Sequence, residues 1–126
     1  MSPEIPHSAP LLDADSRSRL PALYSQENLG LEAIGQVKFF TPDNSWSWYA
    51  SEGSPVDDEG LIDTDQEKTD YLFFGLVIGL EGELGYFALS ELEGARGPLG
   101  LPIERDPHFK PKTLRELQEL HERRVS

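Results

Sequence analysis

The side chains in this sequence with the most chemical potential are its carboxylates. Glu81 and Glu83 form one close pair, and Glu104 and Asp106 form another around Arg105. Two carboxyls sharing a site can divide into general acid and general base when burial and mutual repulsion separate their pKa values, so either pair can be drawn into a small carboxylate-based enzyme. Left at the surface they only solvate the chain, and that is the expected state. Glu104-Arg105-Asp106 is the richest constellation, with Arg96 close by in sequence. Its planar guanidinium fork can lock the surrounding segment through paired hydrogen bonds, or can offer a cation to an anionic ligand. A structural lock is the expected role. With Tyr49, these residues (Arg96, Glu104, Arg105, Asp106) make the candidate binding surface.

Metal and nucleophile chemistry is less supported. Asp57-Asp58-Glu59 and Asp63-Thr64-Asp65-Gln66-Glu67 gather oxygen ligands for a hard cation. A calcium loop starting at Asp63 fails, because Lys68 falls where that loop needs glycine and Phe74 where it needs the closing glutamate. His7, His108 and His121 are too scattered for a zinc pattern, so no metal and no cofactor is assigned. There is no Gly-x-Ser-x-Gly elbow and no phosphate-cradling glycine loop. Gly94-Ala-Arg-Gly97-Pro-Leu-Gly100 is turn chemistry around a helix end. Trp46, Trp48 and Tyr49 invite comparison with aromatic platforms that stack bases. The tryptophans alternate with serines, which places them in a core, and Tyr49 on the opposite face is the expected exposed ring.

Composition narrows the classes further. The absence of cysteine removes disulfides, thiolate metal sites and cysteine nucleophiles, and with them a disulfide-stapled secreted domain. The N-terminal residues lack a basic start and an apolar run, and no stretch reaches the roughly 18 apolar residues of a membrane span, so a cytoplasmic protein is expected. Net charge is −12, from 23 acids against 11 basic side chains. Segment 51–70 concentrates it, with eight acids and only Lys68. Such a chain repels phosphate backbones and has few cations with which to release counterions, so general nucleic-acid binding is disfavoured. It attracts basic partners instead.

The elements that must position these groups follow from pattern. Residues 1–11, with Pro3, Pro6 and Pro10, read as a flexible tail, and 12–126 as a single domain. Asp13 can cap a short helix through Leu20 that Pro21 interrupts, with Leu20, Leu23 and Tyr24 at helical spacing. Four strands are predicted, at about 36–41, 45–51, 71–79 and 84–89, separated by Pro42-Asp43-Asn44, an acidic mobile loop at 53–69, and Gly79-Leu-Glu-Gly82. Leu72, Phe74, Leu76, Trp48 and Phe87 are the predicted core. Ser90 with Glu93 and Thr113 with Glu116 have capping-box spacing, the second opening a C-terminal helix near 113–124. Between them, 98–111 is an ordered Pro- and Gly-rich wrap. The fold class is therefore α+β, a mainly antiparallel sheet of about four strands with a short N-terminal helix and a C-terminal helix packed on it.

The ordered blocks Val37-Lys-Phe-Phe-Thr-Pro42, Trp46-Ser-Trp-Tyr-Ala50, Leu72-Phe-Phe-Gly-Leu-Val77, Glu83-Leu-Gly-Tyr-Phe87 and Gly100-Leu-Pro-Ile-Glu-Arg-Asp106 resemble a bacterial domain-of-unknown-function family over about 11–112. Many members are carried on plasmids, phages and integrative elements. The resemblance implies a mobile-element setting and transfers no catalytic or binding residue. The leading expectation is a non-enzymatic binding or accessory protein acting on another protein with a basic surface, in its sharper form an acidic mimic of DNA. A small carboxylate-based or metal-dependent enzyme is the alternative, and a nucleic-acid-binding module the third.

Overall fold

Asp13 starts the first helix, and Pro21 stops it. In the computed structural model, which describes residues 10–62 and 70–125, the Asp13 carboxylate accepts the Ser16 amide hydrogen at 2.8 Å and α1 runs Ala14–Arg19. Leu20 is already extended, as the residue before a proline must be. Leu20 and Leu23 are buried, but Tyr24 is not the third member of their face. It turns out to solvent with φ 73°. Two 3-10 turns, Glu27–Glu32, break at Gly30 and lead into the strands.

Five strands form the main sheet: β2 (Val37–Phe40), β3 (Ser47–Val56), β4 (Asp70–Ile78), β5 (Gly82–Ala88) and β6 (Glu104–Arg105), in the order β5-β4-β3-β2-β6 with every pairing antiparallel. β1 (Ile34–Gly35) and β7 (Lys112–Thr113) form a separate two-stranded ladder. The α+β class and antiparallel sheet agree with the sequence. The predicted count of four strands misses β1, β6 and β7, each only two residues long and without an alternating pattern of its own.

Both faces of the sheet are covered. Val37, Phe39, Ala50, Tyr71, Phe73 and Phe87 project from one face against Leu12, Leu20, Leu92 and Ile103. Tyr49, Leu76 and Ile78 project from the other against Leu114 and Leu117 of α3 (Leu114–Val125). Leu76 and Phe87 are buried as predicted, whereas Trp48, Leu72 and Phe74 are only partly so. Phe73 is the fully buried member of that aromatic pair. Its ring lies 5.4 Å from Phe39 and 5.3 Å from Phe87, while Phe74 on the second face packs against the exposed Tyr86.

A β-bulge between Ala50 and Glu52 breaks the alternation of β3 and brings Glu52 to the same face as Tyr49. There the buried Glu52 carboxylate accepts the backbone N–H groups of Tyr24 and Gln26, which offsets its loss of water. β3 also continues four residues into the segment predicted as a loop at 53–69. Val56 then bridges Ile62 around a turn in which the Asp57 carboxylate accepts the Glu59 and Leu61 amides, each at 2.9 Å. The remainder of that acidic segment, 63–69, lies outside the described residues, as do residues 1–9 of the predicted tail.

The two predicted capping boxes fare differently. Thr113 and Glu116 exchange side-chain to backbone hydrogen bonds, each 3.1 Å, at the start of α3. α2 (Leu89–Gly94) begins one residue before Ser90, so the glutamate that reaches back is Glu91, to the Ala88 amide at 2.9 Å. Asp70 on β4 takes up the Ser90 amide at 3.0 Å.

Candidate functional site

Two turns meet at one end of the sheet. The β2–β3 turn is closed by Thr41, whose amide donates to the Trp46 carbonyl at 3.1 Å and whose hydroxyl accepts the Trp46 amide at 3.1 Å. The β4–β5 turn is closed by the Gly79 amide on the Glu81 carbonyl at 3.0 Å. The indole of Trp46 lies directly over Gly79, where an added Cβ would sit 2.5 Å from the ring. Glycine is therefore required at 79 for the two turns to touch. That contact leaves Leu80 projecting at 98% exposure, beside a tryptophan that is itself 39% exposed.

Clefts flank this Trp46–Leu80 ridge on both sides. One, of about 460 Å³, lies between the second face and α3 and is lined by Lys38, Phe40, Ser47, Gln118, His121 and Glu122 together with the ridge. The other, of about 390 Å³, adds Val77 and Glu83 from the first face. Glu81 and Glu83 both line it. The ammonium of Lys38, which lines the larger cleft, lies 5.6 Å from the Phe40 ring and 5.8 Å from that of Tyr49, a cation–π arrangement. Tyr49 Oη and His121 Nε2 are 2.8 Å apart and pin α3 to the sheet.

A third segment joins this end of the molecule. The Asp43 carboxylate, from the same turn as Trp46, accepts the Leu99 amide at 2.8 Å. Gly97 lies against that carboxylate so closely that a Cβ would fall 1.6 Å from Oδ1. The exposed Leu99 is thereby carried on a loop fastened to the turn.

The residues predicted from sequence as a binding surface do not converge. Tyr49 is 3% exposed and is not a free ring, because α3 and Phe109, at 5.6 Å ring to ring, cover the face it occupies. Arg96 donates to the Glu93 and Ala95 carbonyls and closes the end of α2. Glu104 is exposed opposite Phe40. The Asp106 carboxylate accepts the His108 amide at 2.9 Å. Arg105 faces the other way, toward the N-terminal segment: it donates to the Pro10 carbonyl at 3.0 Å, the Leu11 carbonyl at 2.6 Å and Asp13 Oδ2 at 3.0 Å. The lock anticipated for Arg105 thus closes on Asp13 rather than on its sequence neighbours. The Asp13 carboxyl is held below its ordinary value, first by the Ser16 amide and hydroxyl and further by the Arg105 and Arg19 charges. Among the described residues, no three His, Asp or Glu side chains gather as a metal ion requires, and no helix is long and apolar enough to cross a membrane.

Sequence reasoning missed the ridge, although a signal was present. A large apolar residue in the middle of Gly79-Leu-Glu-Gly82 has no hydrophobic neighbour to pack against in a tight turn, and Trp46 follows directly on turn-forming Asn44 and Ser45. No curated protein and no solved structure matches the chain. Residues 11–119, which hold both turns and all the strands, match one family profile, and the chain belongs to that family, described as a protein of unknown function, DUF2958.

Proposed function

We propose that this is a non-enzymatic binding protein that acts on another protein through the Trp46–Leu80 ridge. One observation carries the proposal: a leucine that is 98% exposed, beside a half-exposed tryptophan and between two clefts. Protein interfaces concentrate their energy in a few apolar or aromatic anchors surrounded by a polar rim, and this ridge has that composition. Glu81, Glu83 and Glu122 line the two clefts against the single Lys38, and the chain as a whole is acidic, so the partner is one whose apolar pocket is bordered by lysine or arginine. A basic cleft of a nucleic-acid enzyme fits that description, which gives the proposal its sharper form, a DNA mimic in a bacterial mobile-element setting.

Site-specific photo-crosslinking in the native cell tests this. A crosslinker at position 80 is expected to capture a discrete protein that one at exposed Leu29 does not, with capture weakened by salt. Leu80→Asp is expected to abolish copurification of that protein with the melting temperature unchanged. Retention of the same partner by Leu80→Asp, or no adduct specific to position 80, refutes the proposal.

A further inference from the structure

β5 is the outermost strand of the main sheet; Glu91 accepts its Ala88 amide at one end and Gln118 reaches its Gly82 carbonyl at the other, but nothing in its sequence blunts the edge between them. Over Gly82–Ala88 it has, among the described residues, a single strand neighbour, β4. Edge strands are ordinarily guarded by proline, lysine, a bulge or a covering element, because their free backbone groups will pair with any available strand. β5 contains neither proline nor lysine, its pairing with β4 runs without a register shift, and Glu83 is its one charged residue. Leu84 and Tyr86 stand exposed from one face of it, Tyr86 at 53%.

The surroundings of Tyr86 indicate what kind of chain would pair there. Its ring contacts Phe74 at 4.9 Å and meets the half-exposed Tyr24 edge to face at 6.3 Å. Tyr24 holds φ 73°, a backbone conformation that costs a bulky side chain energy. Glu52 offsets that cost by accepting the Tyr24 amide at 2.9 Å. The result is a corner of two aromatic rings with Glu27 and the buried Glu52 behind it. Loss of the Tyr86 proton is opposed first by burial and then by the neighbouring Tyr24, Glu27 and Glu52. From 70 to 95 the chain has no lysine or arginine, while Asp70, Glu81, Glu83, Glu91 and Glu93 fall within it.

We propose that β5 accepts an extended basic segment of a partner protein as a sixth strand. The segment's backbone pairs with the free edge of β5, and an arginine or lysine side chain lies over the Tyr24 and Tyr86 rings. Strand addition draws affinity from main-chain hydrogen bonds and specificity from alternate side chains, and a cation over a phenol face is the side-chain contact this corner favours. The proposal rests on the reading of the protein as a binder of a basic partner and gives the mode of contact. A second copy of the chain is the competing occupant. Antiparallel pairing centred on Gly85 would set Leu84 against Tyr86 without conflict, but it would bring together two acidic edges on chains that each carry −12, so charge selects the basic partner.

The test uses the full chain, amide hydrogen exchange and a synthetic probe peptide, Ac-Arg-Val-Arg-Val-Arg-Val-NH2. The peptide is expected to slow exchange across 82–88 while leaving 104–105, at the opposite edge, unchanged. A glutamate-for-arginine peptide should not slow it, and neither should the arginine peptide N-methylated at every residue, which keeps the charge but cannot pair as a strand. Tyr86→Ala is expected to weaken peptide binding about 3- to 30-fold, the range of one cation–π contact, and Tyr86→Phe to preserve it. Equal slowing by the N-methylated peptide, or no slowing by the parent peptide, overturns the proposal. Sedimentation as a dimer with 82–88 protected in the absence of peptide overturns it in favour of a second copy. If Leu80→Asp loses its cellular partner while β5 exchange ignores the peptide, the strand acceptor fails and the binding function stands. If Leu80→Asp keeps its partner while the peptide protects β5, the ridge fails and the strand acceptor stands.

Discussion

Arg105 joins two parts of the chain that nothing in the sequence places side by side. Its guanidinium makes three hydrogen bonds, to the Pro10 and Leu11 carbonyls and to Asp13, with only 14% of the side chain exposed. A lysine keeps the charge and has three N–H groups, but they radiate from one nitrogen and cannot take the two positions from which the guanidinium fork reaches these acceptors. Hydrogen bonds involving a charged group contribute about 1.5–3 kcal/mol each where water is excluded, and less here because Asp13 is 37% exposed. Arg105→Lys should therefore cost about 1–2 kcal/mol and Arg105→Ala about 2–4 kcal/mol, measured by urea unfolding followed by circular dichroism. For a chain of this length each kcal/mol lowers the melting temperature by about 3–5 °C. Asp13→Asn keeps a good helix cap while removing the charge, so a double-mutant cycle with Arg105→Lys isolates the ion pair. Acid provides a second readout. Asp13 titrates below its unfolded value of 3.8, so its contribution is present above that value and is lost as the pH falls through the lowered folded value. Loss of stability in that acid range should be smaller in Asp13→Asn. Unchanged stability in Arg105→Ala, or a coupling energy of zero in the cycle, would show that the clasp contributes nothing and that the guanidinium is held for another purpose.

Phe73→Ala should destabilise by about 3–5 kcal/mol in equilibrium unfolding, and Phe74→Ala by about half as much, because Phe73 is fully buried and Phe74 is not. Equal costs would contradict the assignment of faces. Glu52→Gln should cost about 1–3 kcal/mol, since the carboxamide must turn its own N–H groups toward one of the two backbone amides that the carboxylate now accepts. A variant as stable as the parent would mean that those amides find other acceptors.

The parts of the fold visible in the sequence are those written in local pattern. β4 could be placed because its apolar run is long and bounded, and α3 because Thr113 and Glu116 are spaced to cap it. Capping by Asp13 was equally legible, since the interaction spans three residues and needs nothing from the rest of the chain. What escaped was set by partners distant in sequence. Tyr49 looked like an outward ring because alternation assigns a face without saying what covers it, and α3 and Phe109 cover that face. The bulge at Ser51 left no mark in composition, yet it decides that Glu52 rather than Ser51 shares a face with Tyr49. β6 and β7 are strands only because β2 and β1 offer them an edge. For the site, sequence adjacency misled: Glu104 and Arg105 are neighbours in the chain and project from opposite faces of the sheet.

The sheet order also carries a sequence of events. β3, β4 and β5 follow one another as a meander, and each pairs with the strand before it, so these ladders close short loops and need little of the chain to be in place. β6 adds to β2, and β7 to β1, only after the chain has travelled across the other strands and back. Contacts between such distant positions are the last to gain from closure, so the wrap and the N-terminal segment should assemble onto a meander that already exists. Substitutions in the late-forming parts would then leave the folding rate nearly constant and raise the unfolding rate, whereas those at the β3–β4 ladder would slow folding itself. The lifetime of the native state is thus governed at the β6 side of the sheet, at the edge opposite β5.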